Sequence, residues 1–144
     1  MVIKTKFFGE IEISDKDVVT FDEGIPGFSD MHSFAVINDS KNTSISYLQS
    51  LEEERVCFIM MPPVFIEKDY DIELSESAVK KLKIEKPEDV KLYAILTVPG
   101  NFKDTTANLK APIVVNTNNS KAIQEILDDE RYSIRHRIVK ESDV

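Results

Sequence analysis

The sequence has little of three residue types that often build functional sites. Its 144 residues contain one cysteine, four glycines and no tryptophan. A single cysteine excludes an internal disulfide and offers no cysteine cluster for a metal. Four glycines leave no glycine-rich phosphate-binding loop. The absence of tryptophan argues against an oligosaccharide-binding barrel, which would present aromatic side chains on an exposed sheet face.

Long hydrophobic runs and basic charge are also scarce. No apolar stretch approaches membrane-spanning length, and Met1–Lys4 lacks the apolar core of a signal peptide. There are 18 basic and 26 acidic residues, and the formal net charge is −8. Because affinity for phosphate comes mainly from lysine and arginine, this balance argues against direct nucleic-acid binding. We expect a cytoplasmic protein without membrane contact, whose negative field suits steering towards a basic protein.

Short strand patterns separated by turns are abundant. Residues 3–13 alternate around Gly9, which predicts one bent strand or a hairpin. Further strands are predicted at 18–21, 34–37, 45–51, 56–61 and 90–98, and at 113–115 within the stretch 106–116. One amphipathic helix is predicted over 75–84, and Pro87–Asp89 begins a second short turn or helical piece. The pattern predicts a mainly β fold in one domain, residues 1–144: an antiparallel β-barrel-like or sandwich domain with one or two short helices.

The strongest strand signal is the aliphatic run Ile113–Val115. Such a run, bounded by turn residues, is typical of a strand buried on both faces. Pro112 cannot donate to a sheet, so it marks the strand start or an edge with a bulge. Asn108 and Lys110 are polar residues just before this run. Either they cap a neighbouring loop or they face a partner.

The segment Asp22–Phe28 predicts a rigid loop. Gly24 and Gly27 can adopt positive φ around a proline that fixes its own φ. Two hydrophobic residues, Ile25 and Phe28, lie on this loop. They either plug one end of the core or form an exposed apolar docking knob.

The region from Ala122 to Ile138 is ambiguous. Residues 122–127 fit a helical turn or a strand, whereas 132–138 alternate. A three-residue polar turn at 128–130 lies between them and favours a β-hairpin.

The sequence is poor in catalytic patterns. His32 and His136 have no partner at metal-ligand spacing, and Cys57 lies within an apolar run, as a small core residue does. Carboxylates are so frequent that no pair of them indicates acid–base chemistry. We therefore expect a binding protein with no catalytic residues, no cofactor and no metal.

Five segments, in order along the chain, resemble the flagellar assembly factor FliW family. Together they run through nearly the whole sequence. They are Phe8–Ile11, Phe21–Phe28, Leu48–Ser50, Asn108–Asn116 and Tyr132–His136. Each motif alone is weak, and the ordered set is specific.

The resemblance implies a bacterial cytoplasmic protein without enzymatic activity. Members of this family bind newly made flagellin and the RNA-binding translational regulator CsrA. Binding CsrA relieves its repression of flagellin mRNA translation, and flagellin and CsrA compete for the factor. The acidic charge, the missing catalytic set and the β-rich pattern agree with this expectation.

Two acidic clusters are the candidates for contacting the basic regulator. They are Glu52, Glu53 and Glu54, and Glu67, Asp69 and Asp71. Either cluster can equally be a solvated turn. Flagellin is expected to dock as amphipathic helices in an apolar groove. The alternative function is a small acidic enzyme, or a ligand-binding β-barrel with a dispersed carboxylate site.

Overall fold

The computed structural model describes residues 1–138. This part of the chain contains ten strands and one short α-helix. The strands are β1 Val2–Thr5, β2 Gly9–Glu12, β3 Val18–Thr20, β4 Ser33–Asn38, β5 Ser46–Ser50, β6 Cys57–Met61, β7 Val90–Thr97, β8 Thr106–Asn116, β9 Lys121–Gln124 and β10 His136–Arg137, and the helix is α1 Glu76–Leu82. Short 3-10 turns cover Asp15–Asp17, Pro63–Phe65, Pro87–Asp89 and Phe102–Asp104.

Strands β3 to β9 form a closed barrel. Each pairs antiparallel with the next in chain order, and β9 returns to β3 in parallel. The closing contact is narrow: one residue pair, Thr20 with Lys121, and a 2.9 Å hydrogen bond from Thr20 N–H to the Ser120 carbonyl. The predicted mainly β fold is confirmed, in its barrel form.

The N-terminal segment is a separate hairpin. Of the two predictions for residues 3–13, the hairpin is confirmed and the single bent strand is wrong. Strands β1 and β2 pair antiparallel, and Gly9 takes φ 66° at the turn. Ile3 and Ile13 pack on Ala35 of β4, so the hairpin covers the outside of the barrel. At its tip, the Lys6 N–H donates to Oε1 of the fully buried Gln49, at 2.9 Å.

Strand β8 contains a large bulge. Asn108 pairs with Ile95, whereas Ile113 pairs with Tyr93, so residues 109–112 stand opposite Ala94 alone. Pro112 lies inside this irregular stretch, where its missing N–H removes no ladder bond. The predicted bulge is therefore present, but β8 starts at Thr106 and is an inner strand of the sheet, neither starting at Pro112 nor forming an edge. Beyond the bulge, Ile113–Val115 are buried in the sheet, which confirms that prediction.

The predicted hairpin between 122–127 and 132–138 is wrong. Residues 121–124 form a strand, but β9 pairs with the C-terminal half of β8, and β10 pairs with its N-terminal end. The 11-residue β8 is long enough to provide partners for both strands. Closing the barrel places β8 on one edge of β9 and β3 on the other, so neither edge is left for residues 132–138.

Side chains from the barrel wall enter two apolar layers. Phe34, Leu48, Met60 and Ile113 belong to the barrel interior. On the outer face of β6, β7 and β8, a second layer is formed by side chains from residues 62–74 and 125–138, here called the outer layer. It packs Tyr70, Leu127 and Tyr132 onto Ala94, Leu96, Ala107 and Leu109. These strands are therefore buried on both faces, which explains their continuous apolar runs.

Candidate protein-binding surface

The glycine loop at Gly24–Phe28 closes the barrel interior. Ile25 is 2% exposed, and the half-buried Phe28 ring packs edge-on against Phe58 with centroids 5.4 Å apart. Gly24 and Gly27 have φ of 71° and 87°, as predicted. Ile25 therefore plugs the core, and the docking-knob interpretation is wrong for this residue.

Asn108 is a structural residue of the bulge. Its Oδ1 accepts the N–H groups of Lys110 at 3.1 Å and Ala111 at 2.9 Å. This matches the loop-capping interpretation. The Lys110 carbonyl accepts from Leu127 N–H at 2.8 Å, and the residue is half-buried. The bulge thus anchors the outer layer to β8.

The first acidic cluster, Glu52–Glu54, lies on the β5–β6 turn. Glu52 Oε1 accepts the backbone N–H groups of His32 at 2.6 Å and Ser33 at 2.7 Å. These two bonds, Ser33 first, lower the pKa of Glu52. Glu53 pairs with Arg55 at 3.2 Å, and this contact lowers the pKa of Glu53. Two of the three carboxylates therefore hold the turn in shape, and Glu54 is left facing solvent.

The second cluster borders a cavity of about 210 Å³ in the outer layer. Glu67 and Asp69 line it together with two basic side chains, Arg131 and His136. Asp71 is exposed, and its backbone N–H donates to the Tyr132 hydroxyl at 2.9 Å. This surface is mixed in charge, and Asp69 and Asp71 are its exposed carboxylates.

An apolar cleft of about 470 Å³, which the sequence reasoning missed, lies between α1 and β7. Its floor includes Leu74, Val79, Ile84 and Leu92. Leu74 precedes the N-cap Ser75, whose hydroxyl oxygen accepts from Ala78 N–H at 3.1 Å, and Val79 follows one turn later. This is the spacing of a hydrophobic staple. This spacing of Leu74 and Val79 around the N-cap is the sequence signal that could have indicated the cleft.

The C-terminal end of α1 supplies the other wall of the cleft. Lys83 adopts the left-handed φ of 54°, and Ile84 N–H donates to the Val79 carbonyl at 3.0 Å. Lys83 N–H donates to the Lys80 carbonyl at 3.2 Å. This Schellman arrangement brings Ile84 beside Val79. Both caps of the helix therefore place aliphatic side chains in one cleft.

A second cavity, of about 250 Å³, adjoins the cleft and shares Ile72 and Glu73 with it. Its rim carries four carboxylates, here called the acidic rim: Glu73, Glu125, Asp128 and Asp129. Asp129 is held by Arg131, with a shortest distance of 2.7 Å, which lowers the pKa of Asp129. Glu125 accepts from the Ser75 hydroxyl at 3.0 Å. Glu73 and Asp128 are exposed and have no ion pair within residues 1–138.

The histidine, cysteine and carboxyl side chains that could support catalysis are engaged in structural contacts or buried. His32 Nδ1 lies 2.8 Å from the Phe21 carbonyl, and burial raises the pKa of the Cys57 thiol to about 11. In residues 1–138, the four carboxyl groups with a shifted pKa, Asp39, Glu52, Glu53 and Asp129, all have it lowered by hydrogen bonds, whereas a general acid needs a raised pKa. Among residues 1–138, no group of three or more His, Cys, Asp or Glu is placed to hold a metal ion. None of the helices in that range is long and apolar enough to cross a membrane.

The fold and surface define a class: a small acidic β-barrel with an apolar cleft and a carboxylate rim on its outer face. The model of the family described as FliW protein matches residues 2–138. The chain belongs to the FliW family.

Individual relatives agree with this assignment. The chain is 44% identical to the flagellar assembly factor FliW of Ruminiclostridium cellulolyticum, over 98% of this chain and 96% of that protein. Its identity to the Alkaliphilus metalliredigens protein of the same name is 42%, over 98% of this chain and 88% of that protein. A crystal structure of the flagellar assembly factor FliW superposes with a TM-score of 0.91 at 39% identity, covering 98% of this chain and 99% of that one.

Proposed function

We propose that this chain is a cytoplasmic, non-enzymatic flagellar assembly factor that binds flagellin and CsrA. By binding CsrA, the chain antagonises CsrA repression of flagellin mRNA translation. Flagellin competes for the chain and so displaces CsrA from it. The observation that carries this proposal is the family match over residues 2–138. In this proposal residues 1–144 act as one domain, without cofactor, metal, membrane or direct nucleic-acid contact.

The two partners are held in unlike ways on overlapping surface. An RNA-binding regulator presents basic charge, and this chain carries −8, so opposite fields speed their encounter. Flagellin segments dock as amphipathic helices through apolar contact. The exposed carboxylates Glu54, Asp69 and Asp71 are the candidates for the charged contribution.

Salt titration separates the two modes. Salt shortens the Debye length to about 8 Å at physiological strength, so CsrA association should slow markedly as salt rises while flagellin affinity changes little. Glu54→Lys and the double variant Asp69→Lys/Asp71→Lys should each slow CsrA association. Glu10→Lys, on exposed β2, is the charge-matched control for the single variant, and Glu10→Lys/Asp30→Lys is the control for the double variant. Equal salt sensitivity of both partners, or no effect from either reversal, contradicts this division.

Partner exchange has its own test. Flagellin added to a preformed complex with CsrA should release CsrA in proportion to the flagellin bound, as measured by size-exclusion chromatography. A stable complex of all three proteins would contradict exchange. Binding of neither purified partner would remove the proposed function altogether.

A further inference from the structure

We propose that the apolar cleft and the acidic rim together bind a basic amphipathic helix. The inference deepens the proposed regulator binding and rests on it for the physiological partner. It adds Glu73 and Asp128 to the carboxylates proposed for the charged contact.

The cleft supplies the apolar half of the site. Leu74, Val79, Ile84 and Leu92 line about 470 Å³ of open volume beside α1. All four are only half-buried, so an apolar face laid on them removes further hydrocarbon from water. A helix with apolar residues at i, i+3, i+4 and i+7 presents such a face.

The acidic rim supplies the charge. The cavity that it borders shares Ile72 and Glu73 with the cleft, so apolar floor and carboxylates form one continuous surface. The far end of the cleft carries one charge of each sign, Glu85 and Lys86. Negative charge is therefore concentrated at the Asp128 end. A basic partner is attracted to that end of the surface, whereas a second copy of this chain, with the same net charge of −8, is repelled.

A helix fits this surface better than an extended strand. The cleft is lined by aliphatic side chains from both ends of α1 and from β7. A groove of this kind is filled by the apolar face of an amphipathic helix, which presents its side chains from one face. An added strand would instead use backbone groups of β7, and in this stretch, residues 90–93, β7 is already paired with β8 on one side.

A designed peptide tests the site without the natural partner. The probe is a lysine–leucine helix about five turns long, with leucines at helical spacing and one tryptophan. Because the chain has no tryptophan, peptide fluorescence reports binding without a protein background. The Glu73→Lys/Asp128→Lys variant should bind about tenfold more weakly at low salt. The control Glu10→Lys/Asp30→Lys, at two exposed carboxylates outside both cavities and with the same change in net charge, should stay within about twofold of the unmodified protein.

Two further peptides separate the contribution of the apolar helix face from that of the positive charge. A scrambled peptide of the same composition, and one with glutamate in place of lysine, should each bind at least about tenfold more weakly than the probe. Equal loss in both double variants, no loss in the first, or undiminished binding of either altered peptide overturns the site. CsrA that binds the protein but ignores the Glu73→Lys/Asp128→Lys change also overturns it, and leaves the proposed function standing. CsrA that does not bind at all removes the proposed function, and the peptide result still judges the site.

Discussion

The barrel interior and the outer layer are held together differently. In the interior, Phe34 is fully buried between Phe21, with centroids 5.3 Å apart, and Phe58, at 6.3 Å. In the outer layer, the Tyr70 hydroxyl donates to the Leu109 carbonyl at 2.8 Å, and the Tyr70 and Tyr132 rings lie 4.5 Å apart. The interior depends on apolar packing, whereas the outer layer adds specific polar bonds to irregular backbone. The proposed binding surface belongs to the second region.

The largest effect is expected in the interior. Phe34→Ala removes a fully buried ring that contacts two others, and should lower the free energy of unfolding by about 3–5 kcal/mol. Urea denaturation followed by circular dichroism measures it. The surface change Glu10→Lys is the control. A loss below about 1 kcal/mol would show that the interior is not the main source of stability.

The glycine loop should show a graded effect. A Cβ at Gly24 would lie 2.7 Å from Ser29 Cα, whereas one at Gly27 would meet nothing within 4 Å. Both residues have positive φ, so each substitution is strained by about 1–2 kcal/mol, and Gly24→Ala adds a backbone clash. Thermal unfolding should rank Gly24→Ala as more destabilising than Gly27→Ala. Gly27→Val should still disrupt the loop, because a β-branched residue tolerates positive φ badly.

A substitution in the outer layer should lower the free energy of unfolding by less than one in the interior. Tyr70→Phe leaves the Leu109 carbonyl without its hydroxyl donor, which should cost about 1–2 kcal/mol in urea denaturation. The exposed Phe102→Leu change should be close to neutral. A Tyr70→Phe cost equal to that of Phe34→Ala would erase the distinction between the two regions.

The same tyrosine gives the outer layer a pH dependence. Burial, with smaller contributions from Tyr132 and Asp129, raises the pKa of Tyr70. The unfolded chain then ionises first, so stability is retained below about pH 10 and falls as pH rises further. Tyr70→Phe should flatten this fall. Some of it should persist, because burial and Asp39 also raise the pKa of Tyr47.

The smallest expected effect is an increase in stability from a substitution beside the cleft. Lys83 holds the left-handed conformation that glycine adopts more easily. Lys83→Gly should raise the free energy of unfolding by about 0.5–1 kcal/mol, whereas Lys83→Ala should not. No gain from glycine would show that the Lys83 side chain has a stabilising contact of its own.

The interior could be predicted from sequence far better than the outer layer. Apolar runs such as Ile113–Val115 and the helix with Ser75 as its N-cap follow local rules of burial and capping. The pairing of β10 with β8 depends on a competition among distant segments, and 132–138 alternate whichever partner they take. Local alternation fixes which side chains share a face, but it does not choose the neighbouring strand.

The candidate surface was harder to predict for the same reason. The acidic turn at Glu52–Glu54 looks like free charge in the sequence, yet Glu52 is engaged by two backbone N–H groups from β4 and the residue before it. The acidic rim draws Glu73 and Asp128 from segments far apart in the chain. Only the packing of the outer layer brings them together.

The narrow closure between Thr20 and Lys121 bears on how the protein folds. These residues are separated by about a hundred positions, and they form the only residue pair between β3 and β9 in the described chain. Antiparallel neighbours from β3 to β8 can assemble progressively, but the ring cannot close until β9 has arrived. Closure is therefore a late, high-contact-order step, expected on the millisecond-to-second scale. Until then, β3 presents an unpaired strand edge, the kind of surface on which partly folded chains associate.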